Sequence, residues 1–347
     1  MPQNKSPIKL AITPLAEIWT KPAAMDYIHD VAWSPNGHFI ACADAKGYVS
    51  VRSALTGYLI EHWSAHQLGA LKIRWSPDGK YLASCGQDGR AHIYDGSTYK
   101  QLATIEHGNN WVEHLVWHRQ KHKILTAAGK QLKLSNADGS LVQQFSDHKS
   151  TIADVMWNPA APDLFATSSY GGARLWNVNQ QSHKRFLEWK GSLLNICYSP
   201  NGKVLSAGCQ DGAAHIWLLP SGDDLFMNGY PTKVRELSWD SSSRYLATGG
   251  GEDVIVWDFS GKGPSGSKPL VLPGHDSFIS VLSFAPFGVR LASGGLDGKV
   301  LVWNLDAKSK VSAGHADSEA SGLSWRADGK QLVASFASGG LVLYDVS

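Results

Sequence analysis

The chain is predicted to be all-β: a closed β-propeller of four-stranded antiparallel blades, with eight blades expected and seven as the alternative. Three observations predict it. An aromatic anchor recurs eight times along the 347 residues, at Trp33, Trp75, Trp117, Trp157, Tyr198, Trp239, Phe284 and Trp325. The intervals are 42, 42, 40, 41, 41, 45 and 41 residues, the period of a propeller blade. Most anchors are followed by a Gly-containing turn, a run of small residues, a second Gly turn and an alternating strand that ends in Trp or Tyr.

The first strand of each unit, strand a, is read from an aliphatic residue two positions before the anchor: Val31, Ile73, Leu115, Val155, Ile196, Leu237, Leu282 and Leu323. Apolar residues two apart share one face of a strand. The turns Ser34-Pro35-Asn36-Gly37, Ser76-Pro77-Asp78-Gly79 and Ser199-Pro200-Asn201-Gly202 come next. Pro pre-sets the second position, Asn or Asp bonds its own backbone, and Gly accepts a positive φ. Strand b is short and made of small residues, as in Leu82-Ala83-Ser84 and Leu291-Ala292-Ser293. Strand c alternates and ends at Arg52, Tyr94, Ser135, Trp176, Trp217, Trp257, Trp303 and Tyr344. A looser strand d, as around Lys268–Leu272, closes each unit.

Composition narrows the function classes. The chain is 43% hydrophobic and 10% aromatic, enough for a large core, and its net charge of +2 gives no electrostatic case for nucleic acid. Ten of the 14 Trp fall on the two repeat positions, so packing explains most of them. The four Cys (Cys42, Cys85, Cys197, Cys209) lie in predicted strands without Cys-x-x-Cys spacing, which suits reduced thiols in a cytoplasmic protein. Met1–Leu10 is polar and lacks a signal-peptide core, and no apolar run reaches membrane-spanning length.

These features resemble the WD-repeat (WD40) family of β-propellers over roughly Ile12 to Tyr344. Trp257-Asp258 is a Trp-Asp pair; Trp176-Asn177, Trp303-Asn304, Tyr94-Asp95 and Tyr344-Asp345 are near copies. Gly274-His275 and Gly314-His315 match the family's Gly-His dipeptide, and His66, His107 and His148 stand at the same offset. The resemblance implies a single propeller over residues 12–347 after a flexible tail of residues 1–11. Eight a–b–c units leave one strand d short at the C-terminus and one spare run, Ala16–Trp19, before the first unit. The resemblance implies that this run closes the last blade. It also implies a buried network of four side chains, complete in blade seven as His275, Ser293, Asp297 and Trp303. In blade two it reads His66, Ser84, Asp88 and Tyr94. Blade five carries Trp189 in place of its His, and blade one carries Lys46 in place of its Asp.

The His275, Ser293 and Asp297 set looks like a hydrolytic triad, but its Ser lies inside a strand of small residues under a Trp, where no nucleophile is reachable. No catalytic residue is therefore expected. His107, His114, His118 and His122 gather around blade three. His114 and His118 are about 13 Å apart on one strand face at about 3.3 Å per residue, too far for one ion, so no metal or cofactor is assigned. A metal-binding or enzymatic propeller using these histidines is the rival reading. Asp30, Lys72, His114, Asp154, Asn195 and Glu236, three positions before their anchors, are expected to satisfy one another at the central channel. Trp111, Lys149, Lys190, Tyr230, Lys233, Arg235 and Phe278 fall on the predicted loops between strand d and the next strand a. Aromatic residues beside Lys and Arg suit a protein-recognition surface. The expected function is a non-enzymatic scaffold that presents this face to a protein or peptide, acidic if the cations lead, with no nucleic acid or membrane partner.

Overall fold

The computed structural model describes residues 11–24, 26–261, 263–306 and 310–347; the tail expected over residues 1–11 lies, Ala11 apart, outside the described residues. The strands follow the repeat. The first unit, for example, is Ile28–Trp33, Phe39–Asp44, Tyr48–Ser53 and Leu59–Ser64, each antiparallel to the next. The eight strands a stand side by side around a central channel and the last of them, Ala320–Trp325, returns to the first.

Among the described residues seven hydrogen-bonded sheets build this ring, so the alternative of seven holds and the eight separate blades expected do not. The fourth and fifth units share one six-stranded sheet. In the fourth unit, Leu164–Asn177 covers strands b and c in one element that folds back at Gly171 and Gly172, both at positive φ. Val178 N–H bonds Asp163 O across this fold at 3.0 Å. Arg185–Tyr198 then runs on without a break, pairing first inside the fourth unit and then with Val204–Cys209 of the fifth. The count of seven thus arises by fusion. The first and third units, whose strand c ends at Arg52 and Ser135 and not at an aromatic, each form a four-stranded sheet within the ring.

Two N-terminal strands complete the edges. Ala16–Pro22 pairs antiparallel with Gly340–Asp345, placing Trp19 opposite Leu343. Ala11–Pro14 adds a fifth strand to the seventh unit, parallel to Lys310–His315. Pairing at both places covers backbone groups that would otherwise template aggregation.

The core lies between blades. The sixth and seventh units, for instance, bury Val254, Val256 and Leu272 against Ile279, Leu282 and Trp303. The anchors stitch these layers. Trp33 Nε1–H donates to Ser324 O at 3.0 Å, Trp117 to Arg74 O at 3.0 Å, Trp157 to Val116 O at 3.2 Å and Trp325 to Ser283 O at 2.9 Å. Each acceptor is the residue just before the preceding unit's anchor, so each indole clamps its blade to its neighbour.

The a–b turns close as their sequence demands. Ser34 Oγ–H donates to Asn36 Oδ1 at 2.7 Å and accepts from Phe39 N–H at 2.9 Å. Gly37 supplies φ +70° at the fourth position, where a side chain would be strained.

Candidate functional site

Two kinds of arrangement compete for a functional role: the buried histidine networks and the loop face. In blade seven, Trp303 Nε1–H donates to Ser293 Oγ at 3.0 Å. Ser293 Oγ lies 2.8 Å from His275 Nε2, and His275 Nδ1 lies 3.1 Å from Asp297 Oδ1. Every polar atom is matched when protons run from indole to hydroxyl to neutral imidazole to carboxylate. Blade two repeats this through His66, Ser84, Asp88 and Tyr94, with 2.8 Å and 2.9 Å at the imidazole and 3.3 Å at the phenol. Burial lowers both imidazoles. Burial alone would raise the two carboxyls, but hydrogen bonds from the histidines and backbone amides hold them below the usual range. Ser84 and Ser293 are fully buried. A hydroxyl sealed between an indole or phenol and an imidazole cannot reach a substrate. These sets lock turns together.

The incomplete blades use other locks. In blades three and four, His107 meets Thr126 and His148 meets Thr167, each at 2.8 Å, and burial pushes both imidazoles down to about 4. Blade five packs tilted aromatic rings at this place. Trp189 and His215 have ring centroids 4.4 Å apart, and His215 and Trp217 are likewise 4.4 Å apart. In blade one, Arg52 takes the aromatic's place and donates to Gly57 O at 3.0 Å and Pro22 O at 2.9 Å. Asp44, two residues before Lys46, accepts the turn's amides of Lys46 and Tyr48.

Blade six corrects one assignment. Tyr230, expected among the partner-facing residues, turns its hydroxyl inward, 2.7 Å from Thr248 Oγ1 and accepting from Trp257 Nε1–H at 2.9 Å. It occupies the place of the absent histidine. The signal was in the sequence: Tyr230 precedes Thr248 by 18 residues, as His275 precedes Ser293. Its ring still lines an open cavity with Phe278.

The other predicted loop residues do not gather into one pocket. Trp111 is 51% exposed and Phe278 42% exposed. Lys149, Lys190 and Lys233 are exposed, but Lys190 lies within the continuous strand Arg185–Tyr198 and not on the loop expected. Arg235 lines the channel mouth with Lys72, His114, Asp154 and Asn195 around a cavity of about 540 Å³. There the polar residues bridge blades. Asp30 pairs with Arg74 and accepts Ile73 N–H at 2.9 Å; Asp154 accepts Ile196 N–H at 3.0 Å and lies 3.4 Å from His114. Glu236 instead folds toward its own strand, accepting from Arg235 N–H at 3.3 Å, and burial raises its carboxyl to about 7.

The blade-three histidines have three separate destinations. His114 faces Asp154, His118 Nδ1 accepts backbone amides of Gln120 and Lys121 at 3.0 Å, and His122 bonds Asp78 at 2.7 Å. Among the described residues, the trio with ligand atoms within 4.8 Å of one another is His66, Asp88 and His92. His66 already engages both ring nitrogens in its lock, and His92 Nδ1 is 3.0 Å from Thr104 Oγ1. A metal there would have to break the network that holds blade two.

Comparison with known proteins fits this geometry. The family model described as "WD domain, G-beta repeat" matches residues 57–95, 181–217, 225–258 and 266–304, and that described as "Anaphase-promoting complex subunit 4 WD40 domain" matches residues 4–73. The B-type cell cycle switch protein ccs52B of Medicago truncatula is 22% identical over 256 residues, covering 71% of this chain and 51% of that protein. "Cell division cycle 20.4, cofactor of APC complex" of Arabidopsis thaliana is 25% identical over 251 residues, 67% of this chain and 55% of that protein. The chain thus spans about half the length of the curated relatives it matches. The crystal structure of the computationally designed Ika8 protein shares the fold, with a TM-score of 0.82 at 18% identity, covering 95% of this chain and all of that one. On the repeats, the locks and these matches, the chain belongs to the WD-repeat family of β-propellers.

Proposed function

We propose that this chain is a non-enzymatic scaffold that binds protein partners through the face formed by its d–a and b–c loops. The observation that carries this reading is a contrast in exposure. The side chains that resemble catalytic groups are sealed inside blades. Large aromatic residues stand open instead: Trp111 and Phe278 on the loops, and Tyr170, 64% exposed, at the fold-back of the element Leu164–Asn177. A rigid ring lowers the ordering cost of binding, which suits a platform. Lys149, Lys190 and Lys233, from three successive blades, favour an acidic segment on that sector. The similarity to a protein named as a cofactor of the APC complex supports a role inside a larger protein assembly. Affinity purification of the tagged chain from its native cells, with mass spectrometry, tests this. The expected result is a defined set of partner proteins whose recovery falls with Lys149→Glu and Lys190→Glu. Recovery of the chain alone, or loss of partners only when the Ser-Pro-Asn-Gly turns are changed, overturns it.

A further inference from the structure

We infer that the cavity on blade six is a peptide-binding pocket for a segment that carries a large apolar side chain next to Lys or Arg. This rests on the scaffold reading and gives it a second, oppositely charged contact site. The pocket borders a lock built differently from those of blades two and seven, which use a His–Asp pair. In blade six the position six residues before the strand c aromatic is Gly251, where blade seven has Asp297 and blade two Asp88. Tyr230 stands in for the histidine and satisfies Thr248 and Trp257, so no buried polar atom of the lock is orphaned. Tyr230 fills the histidine's place and the Pro231 ring packs over Gly251, and the opening lies beside them.

The opening measures about 680 Å³, within the range of ligand sites and large enough for more than one side chain. Its walls are apolar: the rings of Tyr230 and Trp257, Pro231 from the preceding d–a loop, Val271 of strand d and the exposed Phe278. Strand d here is only Leu270–Leu272, with Leu270 and Val271 exposed, so the outer wall is low. The rim is acidic. Glu252 and Asp253 line the pocket and are exposed, and neither forms an ion pair with a described basic side chain. Two unpaired carboxylates beside an aromatic floor select a cation next to an apolar anchor. An acidic peptide, suited to the lysine sector, would be repelled here.

The test uses the full chain and a displayed library of random twelve-residue peptides. Enriched sequences are expected to pair a large apolar residue with Lys or Arg. Measured by titration, their affinity should fall about tenfold or more in Phe278→Ala, in Val271→Trp, which plugs the pocket from an exposed position, and in the double variant Glu252→Lys with Asp253→Lys. The charge reversal should also flatten the salt dependence of association. Lys149→Glu with Lys190→Glu should leave these peptides bound. Thermal melts of each variant establish that the ring is intact. Enrichment of acidic peptides sensitive to Lys149 and Lys190 but not to Phe278 overturns the pocket and leaves the scaffold reading standing. No enrichment at all overturns the pocket too, and partner purification then decides the scaffold reading by itself.

Discussion

Blades seven and six have one architecture and opposite interiors. In blade seven, Trp303, Ser293, His275 and Asp297 form an unbroken chain of hydrogen bonds, and the space between its turns is full. In blade six, three side chains (Trp257, Tyr230 and Thr248) do the locking, and a glycine replaces the carboxylate. The difference teaches that the lock is divisible. The inner part, an aromatic N–H to a hydroxyl to a third polar group, holds the strands. The outer carboxylate ties the two turns together; where it is missing, Thr232 ties them instead, its N–H and its hydroxyl each donating to Gly250 O at 3.1 Å. The change needs no new element, only a tyrosine at the histidine position and a glycine at the carboxylate position.

The comparison is broken or sharpened by substitution at matched positions. The largest difference is expected at the strand c aromatic. Trp303 is 2% exposed in a continuous core, so Trp303→Ala should destabilise by about 3–5 kcal/mol. Trp257 borders the cavity, and Trp257→Ala should destabilise distinctly less. Equal losses by chemical denaturation would show that blade six is packed as tightly as blade seven. Next comes the hydroxyl at the centre of each lock. Ser293→Ala leaves both His275 Nε2 and Trp303 Nε1 without a partner and should destabilise by about 1–3 kcal/mol. Tyr230→Phe orphans Trp257 Nε1 beside an open cavity that water can enter, and should fall at the low end of that range or below it.

The smallest effect separates the blades by sign. An unfolded histidine takes its proton near pH 6.5, whereas burial holds His107 and His148 at about 4 and lowers His66 and His275. Between about pH 6.5 and 4 the unfolded chain binds more protons at these sites. Their stabilisation is complete above that window and is lost as pH falls through it. Glu236, beside the blade-six lock, runs the other way. Burial raises its carboxyl to about 7, so acidification from neutral pH relieves a buried charge. Hydrogen exchange at pH 7 and pH 5 should show blades two, three, four and seven loosening while blade six gains or keeps protection. Uniform loosening around the ring would contradict these opposed signs.

What was legible in the sequence was whatever repeats. Anchors, turns and the His–Ser–Asp–aromatic sets recur at fixed offsets, because each side chain answers to its own blade. Tyr230 was legible too, by its 18-residue offset to Thr248, but its residue type pointed to the surface. The fusion of the fourth and fifth units was not. Gly171-Gly172 reads like any tight turn, and whether a strand runs on through Trp189-Lys190-Gly191 depends on backbone geometry that no residue type dictates. The strand Ala11–Pro14 carries no alternation to betray its parallel partner. The blade-six cavity is harder still, since its walls come from three loops and from strands far apart in sequence.

The strand Ala16–Pro22 lies near the start of the chain, and its partner Gly340–Asp345 lies near its end. The four antiparallel strands of every other unit come from neighbouring segments, so a nascent chain can stack them one after another as an open arc. The arc cannot become a circle until its final strand has emerged and met one made long before. The loop closed by that meeting runs from Pro22 to Gly340, and its entropy cost grows only slowly with length, but the search is non-local and therefore slow. During that wait the last blade is a clasp with one half missing. Timing, rather than strength, is the vulnerable property of this ring.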